Sequence, residues 1–349
     1  MSLILFAGGG SVGHIAPAIA VWEELKKMQS NVDALFLCAD RPDERDFLTA
    51  RNLKFHVLNA PRASAALPWK FWLAMLAANR LLTAHHPTVI FSTGGYISLP
   101  VCAAAFSRRI PIILHESDAV PGRANMLIGI VASRISAGLT DEPSRGRLTV
   151  TGNPIRPEVT QGSRETGLRL TGFSGQRPIL LVAGGSQGAQ ALNEAVADNI
   201  QSLLSVCDII HITGRGKKTS VASSGYWQSE FVTTEIPHLY ACADMALSRA
   251  GAGMIGELAA NGIATIFCPL RDVGHDHQQA NADLVLATGG CIVIQQPELS
   301  SRLVDTVSAL AASAEQRRIV GENLRKLHHS DAAQKIAGII ANSLNNNRH

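Results

Sequence analysis

Along the chain, short runs of consecutive apolar residues alternate with longer stretches of helical periodicity. Strands are expected at residues 3–7, 34–38, 89–92, 110–114 and 135–137, and again at 179–183, 208–212, 245–248, 264–268 and 291–294. These runs are continuous rather than alternating, as expected of strands covered on both faces. Helices are expected between them, at residues 17–28, 99–108, 188–200, 254–261 and 277–288, with a last one near 331–344. Regular strand–helix alternation predicts an α/β protein with parallel sheets.

The pattern also repeats. LFAGGGSVGHIAPAIAVWEEL opens the chain and LLVAGGSQGAQALNEAV opens its second half. Each is an apolar strand, a Gly-Gly turn, a start of small residues and an apolar helix. A second echo pairs FSTGGYISLPVCAAAF with LSRAGAGMIGELAA. Two doubly wound domains explain this better than one. The length of 349 residues, beyond the size at which a single core stops growing, agrees. Residues 160–175 are polar and lack apolar periodicity, which reads as an interdomain linker.

Composition narrows the function classes. A formal charge of +3 with no basic stripe argues against nucleic-acid binding. The six cysteines are scattered through apolar runs without metal-ligand spacing, so they read as buried thiols of a reducing compartment. The opening MSLILFAGGG lacks a positive n-region and a cleavage site, and reads as a first strand rather than a signal peptide. No apolar segment reaches spanning length, so a cytoplasmic protein is expected.

Four constellations carry candidate chemistry. Gly8–Gly9–Gly10–Ser11–Val12–Gly13–His14 is a glycine turn at a helix start, where backbone N–H groups approach a ligand without Cβ obstruction. It is neither a P-loop nor a clean dinucleotide fingerprint. His14 at the end of a parallel strand is a candidate base for an attacking hydroxyl, or simply a hydrogen-bonded helix-start residue. Gly184–Gly185–Ser186–Gln187–Gly188 suits a phosphate by the same physics. Arg249, Gly251, Gly253, Met254 and Glu257 form a third set, with Glu257 either a partner for ribose hydroxyls or a solvated helix residue. Gln278 and Asn281, three apart on one helical face, offer donors and acceptors to sugar hydroxyls. No Asp-x-Asp pair is present to carry a divalent cation, and a metal-free site is expected. Thr93–Gly94–Gly95–Tyr96 and His115–Glu116–Ser117–Asp118, the latter leading on to Asn125, follow expected strands, where α/β folds place ligands. Residues 67–82 are strongly apolar, with Trp69, Trp72, Lys70 and Arg80. They read either as a membrane-interface helix or as one packed against the protein.

Together, AGGGSVGHIAPAIA, STGGY, HES with PGRAN, TGNPIR, AGGSQGA, GAGMIGELAANGIATIFCPL and HQQANA occur in an order that resembles the bacterial peptidoglycan glycosyltransferases of family 28. The resemblance spans nearly the whole chain. It implies the GT-B fold, with two Rossmann-like domains of mainly parallel sheets facing each other across a cleft. It further implies an acceptor-binding, membrane-associating domain at 1–157, a donor domain at 158–329, and a last helix at 330–349 crossing back to the first. The implied reaction is inverting transfer of N-acetylglucosamine from UDP-N-acetylglucosamine to the muramoyl 4-hydroxyl of undecaprenyl-diphospho-muramoyl-pentapeptide.

By the same resemblance His14 is the general base. Ser11, Gly13, Tyr96, Glu116 and Asn125 are acceptor-side residues. Arg156, Ser186, Ile236, Gly253, Met254, Glu257, Gln278 and Asn281 are donor-side residues. No tightly bound cofactor or metal is implied. The implied partners are the lipid-linked substrate, the inner leaflet of the cell membrane and other cell-wall synthesis proteins. Ser11 and Val12 stand where the family usually has threonine and glycine, Met254 replaces a threonine, and Asp118 stands where asparagine is common. Val12 and Asp118 keep a second reading open, a UDP-sugar-dependent transferase with a different acceptor. A nucleotide-sugar epimerase or hydrolase, and a non-catalytic nucleotide-sugar binder, are the readings from other classes.

Overall fold

The computed structural model describes residues 2–60, 68–185, 188–271 and 276–346. The chain forms two compact units, Met1–Arg156 with His329–His349, and Pro157–His328.

In the first unit, β1 (Ser2–Gly8), β2 (Val32–Cys38), β3 (Phe55–Val57), β4 (Val89–Gly94), β5 (Ile112–Glu116), β6 (Arg134–Ala137) and β7 (Leu148–Val150) form a sheet. Its order is β3-β2-β1-β4-β5-β6-β7, and its strands pair in parallel. Helices α1 (Val12–Met28), α2 (Pro42–Thr49), α3 (Pro68–His85), α4 (Ser98–Ser107) and α5 (Arg123–Val131) cover it. Alternate residues of β1 enter opposite cores, which is why its sequence is apolar throughout. Ile4 and Phe6 pack with Ile15, Ile19 and Trp22 of α1, while Leu5 and Ala7 pack with Leu82, Val101 and Ile128. Phe6 stacks on Phe36 at 4.7 Å between ring centroids and meets Phe91 edge-on.

In the second unit, α6 (Arg164–Thr171) precedes β8 (Ile179–Ala183). Then come α7 (Gln190–Asp198), α8 (Ile200–Val206), β9 (Asp208–Ile212), β10 (Tyr226–Ser229), α9 (Ile236–Cys242), β11 (Met245–Ser248), α10 (Ala252–Asn261), β12 (Ala264–Phe267), α11 (His277–Ala287), β13 (Cys291–Val293), α12 (Leu299–Ala312) and α13 (Ala314–Arg325). The sheet runs β10-β9-β8-β11-β12-β13, again parallel. The last helix, α14 (Ala332–Asn346), belongs to the first unit, where Ile336, Ile340 and Leu344 complete the core beneath α1.

Both sheets reverse their winding direction beside their first strand, between β1 and β4 and between β8 and β11. In open α/β sheets, ligands bind beyond the carboxyl ends of the strands at such switch points. The glycine turns read from the sequence leave these strands.

Three differences from the sequence expectation have local causes. Strands β3, β7 and β10 escape a search for apolar runs because they are three- or four-residue edge strands of mixed exposure. Helix α1 starts at Val12, so Pro17 lies inside it rather than opening it. Residues 160–175 are not an open linker, because Ser163 caps α6 by accepting from the N–H of Thr166, and Gly172 ends the helix in the left-handed conformation.

Candidate active site

In the first unit the site is assembled from the ends of β1, β4 and β5. Ser11 is extended at the N-cap of α1, and Val12 begins the helix, so a β-branched residue fits there without strain. Gly10, at φ +102°, takes the turn's left-handed position. His14 falls in the first helical turn. Its Nδ1 lies 3.0 Å from the carbonyl oxygen of Thr93, and the Thr93 hydroxyl donates to the carbonyl of His14 at 2.7 Å. A carbonyl only accepts, so Nδ1 donates to it, and in the neutral imidazole the lone pair is on Nε2.

The turn after β4 packs on this histidine. Gly94 and Gly95 both have positive φ. A Cβ on Gly95 would stand 2.5 Å from the Gly9 carbonyl and 3.6 Å from His14 Nε2, and one on Gly94 would collide with the Asn125 amide. The Ser98 hydroxyl at the start of α4 donates to the carbonyls of Ala7 and Gly94, tying the two strand ends together. The Tyr96 ring lies against Gly10. Asn125 Nδ2 donates to Glu116 Oε2 at 2.7 Å, and the N–H of Asp118 donates to Glu116 Oε1 at 3.0 Å. Asn125 is buried, and its Oδ1 has no hydrogen-bond partner among the described residues. A buried acceptor of this kind costs free energy until a donor such as a hydroxyl or amide meets it. Ser11, Gly13, His14, Tyr96, Glu116 and Asn125 thus gather around one switch point. Arg156, which ends the first segment of this unit, holds its guanidinium over the Phe47 ring at 5.4 Å.

Burial pushes the Glu116 carboxyl up to about 7, against the hydrogen bonds from Asn125 and Asp118. The fold therefore favours the neutral acid. The stability associated with Glu116 is fully present below its ordinary 4.5 and is lost as pH rises through about 7. The span corresponds to about 3 kcal/mol at most. Glu116→Gln does not titrate, so its melting temperature is expected to gain on that of the wild type from pH 4.5 to about 7 and to level off above that. Parallel melting curves over that range would refute this assignment. Neighbouring His115 is fully buried between Ser136 and Asn153, and burial holds it down at about 4, which makes it a neutral structural group.

In the second unit, Gly184 and Gly185 follow β8, and Gly188 has no room for a Cβ against the Thr213 carbonyl. Ser186 lies outside the described residues. Gly251 caps α10, whose first turn holds Gly253 and Met254; a Cβ on Gly251 or Gly253 would meet nothing within 4 Å, so this backbone is open to approach. Glu257 follows one turn later, and the Tyr240 hydroxyl donates to its Oε2 at 2.7 Å. Ile236 is the first residue of α9.

Gln278 and Asn281 share a face of α11, and both secure loops. Gln278 Oε1 accepts from the N–H of Leu270, and the fully buried Asn281 donates to the carbonyl of Ala250. Arg249 is buried against the carbonyls of Cys268 and Pro269 and against Gln296, anchoring the loop before α10. Among the described residues no group of three or more His, Cys, Asp or Glu is placed to hold a metal ion.

Sequence reasoning did not single out Thr93 or Tyr240 as partners. Thr93 had one available signal, its place just past the strand expected at 89–92. Tyr240 had none.

Two family models match in chain order. The glycosyltransferase family 28 N-terminal domain covers residues 4–136, and the family 28 C-terminal domain covers residues 179–336. A Clostridium kluyveri protein named UDP-N-acetylglucosamine--N-acetylmuramyl-(pentapeptide) pyrophosphoryl-undecaprenol N-acetylglucosamine transferase is 32% identical over 97% of this chain and 99% of its own. A Legionella pneumophila (strain Lens) protein of the same name is 31% identical over 97% and 96%. The chain belongs to glycosyltransferase family 28.

Among solved structures, Acinetobacter baumannii MurG is similar at a TM-score of 0.75 and 23% identity, over 98% of this chain and 99% of that one. The calicheamicin glycosyltransferase CalG4 is similar at 0.73 and 14% identity, over 99% of each chain. A putative UDP-N-acetylglucosamine 2-epimerase from Listeria monocytogenes reaches 0.75 at 14% identity, over 97% and 95%. These likenesses are of fold. The two doubly wound parallel-sheet units of this family 28 chain are those of GT-B.

A second surface of this family 28 chain lies on its first unit. Helix α3 buries Ala74, Ala78, Leu81 and Leu82 and exposes Trp69, Trp72 and Leu73, so it both packs on the sheet and presents an apolar face. Phe106 at the end of α4, and Met126, Leu127 and Ile130 on α5, are also exposed, with Ile130 at 70%. A cavity of about 530 Å³ opens beyond β2–β4, lined among others by Arg41, Leu58, Trp69, Lys70, Leu73 and Tyr96. No helix among the described residues is long and apolar enough to cross a membrane.

Proposed function

We propose that this chain transfers N-acetylglucosamine from UDP-N-acetylglucosamine to the muramoyl 4-hydroxyl of undecaprenyl-diphospho-muramoyl-pentapeptide, with inversion at the sugar. One observation carries the reading: near full-length likeness, at 31–32% identity, to relatives named for this transfer. The geometry supplies the chemistry. With its proton on Nδ1 fixed by Thr93, His14 presents Nε2 as the base. Nε2 takes the proton of the acceptor hydroxyl as that oxygen attacks the anomeric carbon. The bond to the diphosphate breaks, UDP leaves with its electron pair, and the α-linked sugar becomes β-linked.

Ser11 and Gly13 serve the acceptor diphosphate at the start of α1, and Tyr96, Glu116 and Asn125 line the acceptor side. Asn125 Oδ1, buried without a partner, suits a donor group of the acceptor. On the donor side, the open backbone at Gly253 and Met254 faces the UDP diphosphate at a helix N-terminus, where N–H groups and the helix dipole favour negative charge. Glu257, steadied by Tyr240, takes the ribose hydroxyls. Ile236 reads the base through its backbone, and Gln278 and Asn281 border the sugar. Arg156 and Ser186 complete the donor set. The exposed faces of α3 and α5, with Lys70 beside Trp69, rest on the cytoplasmic leaflet as a peripheral contact.

The test is a transfer assay with purified protein and labelled UDP-N-acetylglucosamine, comparing the undecaprenyl-linked muramoyl-peptide with other lipid acceptors. The expected product is a β-linked disaccharide on the muramoyl lipid together with UDP. Label appearing only on a different acceptor, or an epimerised sugar formed without acceptor, refutes the reading.

A further inference from the structure

Thr93 orients the His14 ring, but another element holds the glycine loop in front of it. Helix α2 is short and half charged, with the sequence PDERDFLT, and one of its carboxylates is fully buried. Glu44 Oε1 accepts from the N–H of Gly10 at 2.8 Å, and its Oε2 accepts from the N–H of Ala39, also at 2.8 Å. From the N-cap of the same helix, Arg41 Nη1 donates to the carbonyl of Gly10 at 3.0 Å. Both polar groups of Gly10 are therefore taken by α2. The Tyr96 ring closes the remaining side, 2.7 Å from where a Cβ on Gly10 would stand.

Three successive glycines make the most mobile of loops, since each loses more backbone entropy on ordering than any other residue. A buried carboxylate is expensive unless hydrogen-bonded, and burial raises the Glu44 carboxyl above its usual range. Its two N–H partners offset that cost. With the Gly10 N–H committed to Glu44, the amides left for an anion are those opening α1, at Val12 and Gly13, which have no earlier helical carbonyl to bond.

We propose that Glu44 and Arg41 are positioning residues that clamp Gly10 and so set where His14 and the opening amides of α1 meet the acceptor. This inference rests on the transfer reading above. A misplacement of about 1 Å in such a site costs about 10²-fold in rate.

The experiment compares Glu44→Gln and Arg41→Gln with the wild type. Glutamine keeps the shape of Glu44 but turns an NH₂ toward one of the two N–H donors. Glu44→Gln is expected to lower kcat by about 10- to 100-fold. The KM for UDP-N-acetylglucosamine should stay within about twofold, because Glu44 bonds Gly10 and Ala39 and not Arg156, the assigned donor residue that packs on Phe47 of α2. Arg41 is partly exposed, so Arg41→Gln should fold even if Glu44→Gln does not, and it should lower kcat in the same direction by a smaller factor. The readout independent of turnover is the ¹⁵N spectrum of labelled histidine, with the His14 signal assigned by its loss in His14→Gln. In the wild type it should show the proton on Nδ1, and in the variants, where the Thr93 contact stays but the loop in front of the ring is loosened, a shifted Nε2 signal. Wild-type kcat with an unchanged His14 signal overturns the clamp, as does a fall in kcat matched by equal loss of UDP binding. If the wild type itself transfers nothing, the transfer reading fails, and the His14 spectra alone decide the clamp.

Discussion

His14→Ala is expected to lower kcat by about 10²- to 10⁴-fold, the usual contribution of a positioned general base. UDP binding should be nearly unchanged. The residues assigned to the donor, apart from Arg156, lie in the second unit, and the ring of His14 contacts Thr93 and the turn at Gly95 in the first. Folding should suffer little, since the hydrogen bond to the Thr93 carbonyl that the substitution removes is worth about 0.5–1.5 kcal/mol net. Steady-state kinetics with a parallel UDP titration checks the split. Turnover within about threefold of wild type would remove His14 as the base, because loss of general-base catalysis is larger than that.

Truncation before α14 is expected to unfold the first unit while sparing the second. The helix contributes Ile336, Ala337, Ile340, Ala341 and Leu344 to the core shared with Phe6, Ile19 and Phe91. Burying its three large side chains is worth about 5–9 kcal/mol. That is comparable with the whole stability of a typical domain. Limited proteolysis of a chain ending at residue 330 should digest residues 2–153 and leave a resistant fragment near 157–328. Heating should show one cooperative transition instead of two, or a smaller one. A truncated protein that still transfers sugar would mean the first sheet is stable without this helix.

Much of this architecture was legible in the sequence because its central strands are buried on both faces. Runs such as residues 179–183 and 245–248 needed only hydropathy to be placed to the residue. Edge strands were not legible, since a three-residue strand such as β3 has too little buried surface to mark it. Helix α2 escaped for a related reason, its few buried residues lying among charges. The site divides along the same line. Glycines and a histidine in one short loop announce themselves. Their partners do not: Thr93 is 79 positions from His14, and Glu44 is 34 from Gly10. Only the parallel pairing of β1 with β2 and β4 brings them together.

The place of α14 also bears on how the protein is made. The first unit is begun by residues 2–156 but completed by residues 332–346, which are synthesised only after the whole second unit. On the ribosome, the second unit has its whole sequence before the first does. The first half of the nascent chain must therefore wait, with the core beneath α1 incomplete, while some 170 intervening residues emerge, about 10–35 s at ordinary elongation rates. The unit that carries the Gly8–His14 loop is begun before the second unit and finished after it, so chaperone demand during translation should fall mainly on it.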